Sequence, residues 1–155
     1  MGNRIDYGRT SPDGVLAFCE VETYLSQCGL DETLIDLVYL RVSQINGCAY
    51  CTDLHTRMLT KEGLPANKLA LVQVWAFTEE VFSLKEKAAL AWAEHVTLIQ
   101  KAFFNDEGLP ETAQCFTEKE LFDLTLAASL MNAYNRLAVS FRNAPHAVAE
   151  RQGGM

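Results

Sequence analysis

Positive charge is scarce in this chain. Lysine and arginine number 13 against 20 aspartates and glutamates, a formal net charge of −7. Nucleic acid and anionic membrane surfaces both call for a basic patch, so neither is an expected partner. Long apolar runs are missing too. Nowhere do about 18 apolar residues follow one another, and no spanning helix is expected. The opening residues Met1-Gly2-Asn3-Arg4-Ile5-Asp6 carry no apolar leader, and Asp6 stands where a myristoylation motif wants Ser or Thr. An even set of cysteines is also lacking: there are five. That argues against a secreted disulfide scaffold and for a reducing compartment. These absences lead to the expectation of a soluble cytoplasmic protein. Convincing period-2 alternation and solenoid-length repeats are absent as well, which removes half-buried strands and repeat arrays.

What the chain does have is apolar material at helical spacing. With 155 residues and 49% apolar content it is expected to form one domain, 1–155, with a real core over about 11–143 and a tail at 144–155. Ser11-Pro12 reads as a cap and first helical position, Val15, Leu16, Phe18, Cys19, Val21 and Leu25 follow as a stripe, and Gly29 ends it. A second helix starts near Asp31 and breaks at Asn46-Gly47. A third opens at or near Cys48 and ends at Gly63, and a short one covers about 66–77. Ser83 with Glu86, and Thr117 with Glu120, have the form of capping boxes. They open helices to about Ala102 and about 142, separated by a mostly looped, polar 104–116. The fold class is all-α, a helical bundle of five to seven helices. The last helix is apolar on almost every side, so it is expected to be buried all round. A domain this small has little material for that, which favours completion by a second subunit, a homo-oligomer.

The most informative stretch is Asn46-Gly47-Cys48-Ala49-Tyr50-Cys51-Thr52-Asp53-Leu54-His55. Offsets of 3, 4 and 7 return to one helix face, so Cys48, Cys51 and His55 share a stripe. Two thiols and an imidazole suit a thiol that loses a proton, reacts, and is resolved by its neighbour. If helices 31–46 and 48–62 form an antiparallel hairpin at Gly47, residues whose numbers sum to about 94 lie level. Ser43 then faces Cys51, Tyr39 faces His55, and Asp36 sits about one turn further on, within reach of His55 directly or through one water. An acid orienting an imidazole beside a thiol is the logic of base, orienter and nucleophile. Cys48, nearest the helix start, gains most from the dipole, and Cys51 most from the imidazole. The residues alone leave open which attacks.

Other readings compete. Three zinc ligands would want a fourth, and no second Cys/His pair exists. Covalent haem needs His directly after the second cysteine, where Thr52 stands. Thioredoxin chemistry needs a strand before the motif, where a helix is expected. A packed cysteine pair with a satisfied histidine is the bland alternative. Cys19, Cys28 and Cys115 read as small buried apolar residues, and His95 and His146 as surface or cap residues.

The run from Arg41 to His55 resembles the core motif of the alkylhydroperoxidase AhpD-like proteins, within the carboxymuconolactone decarboxylase superfamily. Glu86-Lys87-Ala88-Ala89-Leu90-Ala91-Trp92-Ala93-Glu94 and Asn132-Ala133-Tyr134-Asn135-Arg136 are similar to motifs of one subgroup, so the resemblance covers about 11–143. It implies an all-α fold assembled as trimers or hexamers, and reduction of hydroperoxides by a redox-active cysteine pair. It maps the attacking thiol to Cys51, the resolving thiol to Cys48, the histidine to His55, and the relay's acid to Asp36, where the family has glutamate. Aspartate shortens the reach to His55 by about 1.5 Å, which a bridging water can restore. Glu94 is a substitute acid or a solvated helix residue. Tyr50, where well-studied members have histidine, is a hydroxyl donor to thiolate or peroxide, or only a partly buried ring.

The implied cycle has His55, biased by Asp36, lower the pKa of Cys51. Cys51 becomes sulfenic acid, Cys48 condenses with it, and an external dithiol or thiol protein restores the pair. No metal or organic cofactor is called for. The alternatives are lactone decarboxylation or similar acid/base chemistry, and a non-enzymatic redox sensor.

Overall fold

The protein is described here by a computed structural model that covers residues 4–102 and 114–145. Among the described residues the helices follow in order: α1 Tyr7–Thr10, α2 Pro12–Leu25, α3 Glu32–Ile45, α4 Ala49–Lys61, α5 Ala66–Leu71, the 3-10 turns Val72–Phe77, α6 Leu84–Thr97, α7 Ile99–Ala102 and α8 Glu118–Phe141. No strand occurs among the described residues. His146 and most of the 104–116 loop lie outside them.

Local chemistry explains most boundaries. Asp31 caps α3, its carboxylate accepting from the Leu34 amide at 3.2 Å. Both capping boxes form. The Glu86 amide donates to Ser83 Oγ at 3.2 Å while the Ser83 amide donates to Glu86 Oε2 at 2.7 Å. Thr117 and Glu120 repeat the arrangement at the start of α8. Gly47 reverses the chain between α3 and α4 at φ +65°, a left-handed conformation that a side chain would strain.

Three expectations are corrected. The short helix at 66–77 is α-helical only to Leu71. Val74 leaves helical geometry at φ −125° and ψ 23°, and the tighter turns carry the Trp75 indole N–H to Glu94 Oε1 at 2.7 Å. The helix expected to reach Ala102 ends at Thr97, whose hydroxyl accepts from Asn132 of α8 at 3.1 Å, and α7 follows separately. α1 had no counterpart in the sequence reading.

The helix at the centre is α3, not α8. Its residues Leu34 to Leu40, with Val42 and Ser43, are all buried, and α4, α6 and α8 pack against it. One apolar cluster joins Leu25, Val38, Val42, Trp92, Leu124 and Met131; a second joins Leu37, Leu40, Leu59, Val72, Phe82 and Leu90. α8 buries Leu124, Ala127, Ala128 and Met131 but leaves Phe122 61% and Val139 51% exposed. It is apolar all round, yet this chain covers only one side of it. Arg41 ties α3 to α6 through Glu94, at 2.7 Å. Glu94 is therefore a strut between helices, held by Arg41 and Trp75.

Leu37 has no exposed surface and sits where α3, α4 and α6 meet. Leu37→Ala is expected to lower unfolding free energy by about 2–5 kcal/mol in urea titration. Leu84→Ala, at a position 82% exposed, should stay within about 0.5 kcal/mol.

Candidate functional site

The reversal at Gly47 lays α4 antiparallel on α3 and fixes the site. Cys48 is the N-cap of α4, and its Sγ accepts the Cys51 amide N–H at 3.3 Å. One turn into α4 lies Cys51, and one further turn brings His55. The thiols and the imidazole are all buried, and both cysteines are free thiols. On α3, Asp36 meets His55 directly, Oδ1 lying 3.0 Å from Nδ1, with no bridging water required. Tyr39 lies against the imidazole with ring centres 5.0 Å apart. The shorter acid reaches because α3 and α4 pack closely at this level.

The second Asp36 oxygen, Oδ2, is buried and has no donor among the described residues. Glu62, seven residues after His55 and so on the same face of α4, is pushed up by burial and, less, by its contact with Asp36.

A polar network at the foot of α8 backs the thiols. Asn135, 1% exposed, donates through Nδ2 to Ser43 Oγ at 3.1 Å and accepts from Asn46 Nδ2 at 2.9 Å. Ser43 in turn donates to the Tyr39 carbonyl at 2.7 Å. Asn135 also favours negative charge on both sulfurs. The sequence reading quoted Asn135 only within a motif and assigned it no role. Its signal was a pair of amides, Asn132 and Asn135, one turn apart in a largely apolar stretch of α8.

Charge is divided unequally between the thiols. The Cys48 thiol is lowered to about 7, first by the hydrogen bond from the Cys51 thiol, with the Cys51 amide and Asn135 adding to it against the cost of burial. Cys51 is pushed well up, because it donates to that sulfur and is itself buried. In the reduced pair the more acidic thiol is thus Cys48 at the helix start. The largest influences on Cys51 come from Cys48 and from burial.

Cys51 and His55 open onto a cavity of about 360 Å³ between α2, α3, α4 and α8, closed at one end by Tyr7 of α1. Glu22 and Tyr134 stand at its wall, and neither was singled out from sequence as a site residue. Glu22 is pushed up by partial burial, while a hydrogen bond from Tyr134 and the nearby His55 hold it down. Tyr50 lines the same cavity. Cys115 is exposed, contrary to expectation, and Cys19 and Cys28 are half-buried. His95 stacks on Trp92 at 5.0 Å in the last turn of α6. No group of three or more His, Cys, Asp or Glu is placed to hold a metal among the described residues. No helix there is long and apolar enough to cross a membrane.

Residues 11–95 match the carboxymuconolactone decarboxylase family, more than half of the chain. The chain belongs to that family. Within it, the chain is AhpD-like. It is 34% identical, at a TM-score of 0.82, to a solved protein of unknown function from Agrobacterium tumefaciens, proposed as the antioxidant defence protein AhpD; the match covers 93% of this chain and 98% of that one. An uncharacterized Bacillus subtilis protein, YdfG, is 32% identical over 92% of this chain and 97% of its own length. Two further family folds are shared at 19% identity. They are a peroxidase-related protein from Ralstonia eutropha with an alkylhydroperoxidase AhpD core (TM-score 0.75, covering 89% of this chain and 73% of that one) and the debrominase Bmp8 (TM-score 0.73, 88% and 73%).

The thiol pair makes folding stability depend on pH. Between about 7 and 9.0 the folded pair holds one proton where the unfolded chain holds two, so stability rises with pH. Above 9.0 the unfolded chain sheds both while folded Cys51 keeps its own, and stability falls. Denaturant titrations across this range should therefore show a maximum near 9.0 relative to the Cys48→Ser/Cys51→Ser double variant. A flat difference would contradict the charge division. Iodoacetamide alkylation of the native pair should titrate near 7.

Proposed function

We propose that this family member is a thiol-dependent peroxidase, reducing a hydroperoxide to an alcohol and water with transient oxidation of Cys48 and Cys51 to a disulfide. One observation carries the reading: two thiols one helical turn apart, one of them opening on a cavity beside a buried Asp36–His55 pair at 3.0 Å. The Agrobacterium relative, proposed as an antioxidant AhpD, supports it. An acid/base reaction such as lactone decarboxylation would leave both thiols without a role.

The resting pair shares one proton and one negative charge. Passing the Cys51 proton to Cys48 puts the thiolate on Cys51, the sulfur that faces the cavity. Cys51 Sγ attacks the distal peroxide oxygen; the S–O bond forms and the O–O bond breaks. The departing alkoxide takes a proton from the His55 imidazolium, whose charge Asp36 stabilises. Cys48 then attacks the Cys51 sulfenic acid, an S–S bond forms, and hydroxide leaves with the Cys48 proton as water. An external dithiol or thiol protein exchanges with the disulfide and regenerates both thiols. No cofactor enters any step.

Assembly belongs to the same proposal. α2 and α8 share an open apolar groove lined by Phe18, Val21, Leu126 and Leu130, with Leu16 57% exposed and Phe122 61% exposed, one turn before Leu126. A second copy, in a trimer or hexamer, is the occupant we propose for it. Phe122→Glu is expected to shift sedimentation velocity to a smaller species.

In peroxide consumption with a dithiol present, Cys51→Ser should be inactive. With the dithiol left out, Cys48→Ser should consume about one peroxide per chain and stop at sulfenic acid. Asp36→Asn should lose on the order of 10²-fold in kcat while remaining folded. Full turnover by the Cys48→Ser/Cys51→Ser double variant would rule the mechanism out.

A further inference from the structure

The cavity beside Cys51 is much larger than the reaction needs. At about 360 Å³ it has room for about a dozen waters at ~30 Å³ each, so hydrogen peroxide, little bigger than one water, leaves most of it unfilled. Its size is that of a small organic molecule's pocket. The walls are aromatic and soft: Tyr39, Tyr50 and Tyr134 supply rings, and Met58 and Met131 adaptable thioethers.

Its charge is one-sided. Glu22, Glu32 and Asp36 line the cavity, and no lysine or arginine does among the described residues. Asp36 is committed to His55. Glu32 sits in the first turn of α3 and is exposed at the rim. Glu22 comes from α2 and lines the cavity together with Tyr134 of α8, close enough to His55 for the two to influence each other. A carboxylate on an incoming molecule would meet like charges from Glu22 and Glu32 and no lysine or arginine, while any charge on His55 is already matched by Asp36, and such repulsive elements are how sites discriminate.

We infer that the cavity selects uncharged organic hydroperoxides with a compact aromatic or branched apolar group and rejects those bearing a carboxylate, with Glu22 as the residue that sets the charge preference. The inference rests on the peroxidase reading of the site for the word hydroperoxide. The selection by size and charge rests on the cavity alone.

The test separates the two. Product alcohols bind without reacting, so cumyl alcohol and its para-carboxylate are titrated into the reduced wild-type protein by calorimetry near neutral pH. Cumyl alcohol is expected to bind at least about tenfold more tightly than the carboxylate. Glu22→Gln, whose amide oxygen still accepts from Tyr134, is expected to narrow the gap to under about threefold. Equal or tighter binding of the carboxylate by the wild type overturns the inference without any variant. So does an unchanged gap in a Glu22→Gln protein with wild-type circular dichroism. Turnover is read separately with cumene hydroperoxide and its para-carboxylate. Consumption of both at equal kcat/KM overturns the charge preference and leaves the peroxidase reading standing. Selective alcohol binding with no consumption of either peroxide overturns the peroxidase reading and leaves the selection standing.

Discussion

The antiparallel packing of α4 on α3, turned at Gly47, is the constraint on which the site depends. Gly47 supplies a left-handed residue at φ +65°, and the reversal sets residues of the two helices level. His55 then meets Asp36 at 3.0 Å and lies against Tyr39. It also makes Cys48 the N-cap of α4, where unpaired amides and the helix dipole favour negative charge. A carboxylate and an imidazole buried this deeply hold their place because each is the other's partner. Glu62, two helical turns further along α4, is influenced in turn by Asp36.

The division of charge between the thiols follows from the same turn. Cys48 receives hydrogen bonds from the Cys51 amide and thiol and is favoured by Asn135, while Cys51 gives its proton to that arrangement and faces the cavity. The sulfur that most readily holds charge and the sulfur that meets a ligand are therefore different atoms one turn apart. Asn135, buried and shared by Ser43 and Asn46, sets the spacing of α8 from α3 behind both sulfurs.

Much of this was legible from residue spacing. The Cys48, Cys51 and His55 stripe, the hairpin register and the Asp36 position all come from helical periodicity and one turn signal, because local hydrogen bonding alone dictates which offsets share a face. The caps at Asp31, Ser83 and Thr117 are equally local. Glu22 was not legible. It sits among exposed polar residues of α2, and only the packing of α2 on α8 brings it to the cavity wall. Glu94 resembled an acid of the site in sequence and proved to be a strut to Arg41 and Trp75, partners contributed by other elements. Val74, where the short helix tightens, carried no strong breaker signal.

The sequence by itself determined an all-helical chain, the boundaries of its main helices, and the chemistry of one stripe, since these depend on periodicity, capping and turn conformation within a few residues. Only the tertiary structure decided that α3, and not the more apolar α8, is the central helix, because burial depends on what lies on every side of an element. It alone decided which thiol carries the charge, because that depends first on the hydrogen bond from the Cys51 thiol to Cys48 and then on burial. And it alone made a cavity with acidic walls, because a cavity is the space that helices distant in sequence leave between them.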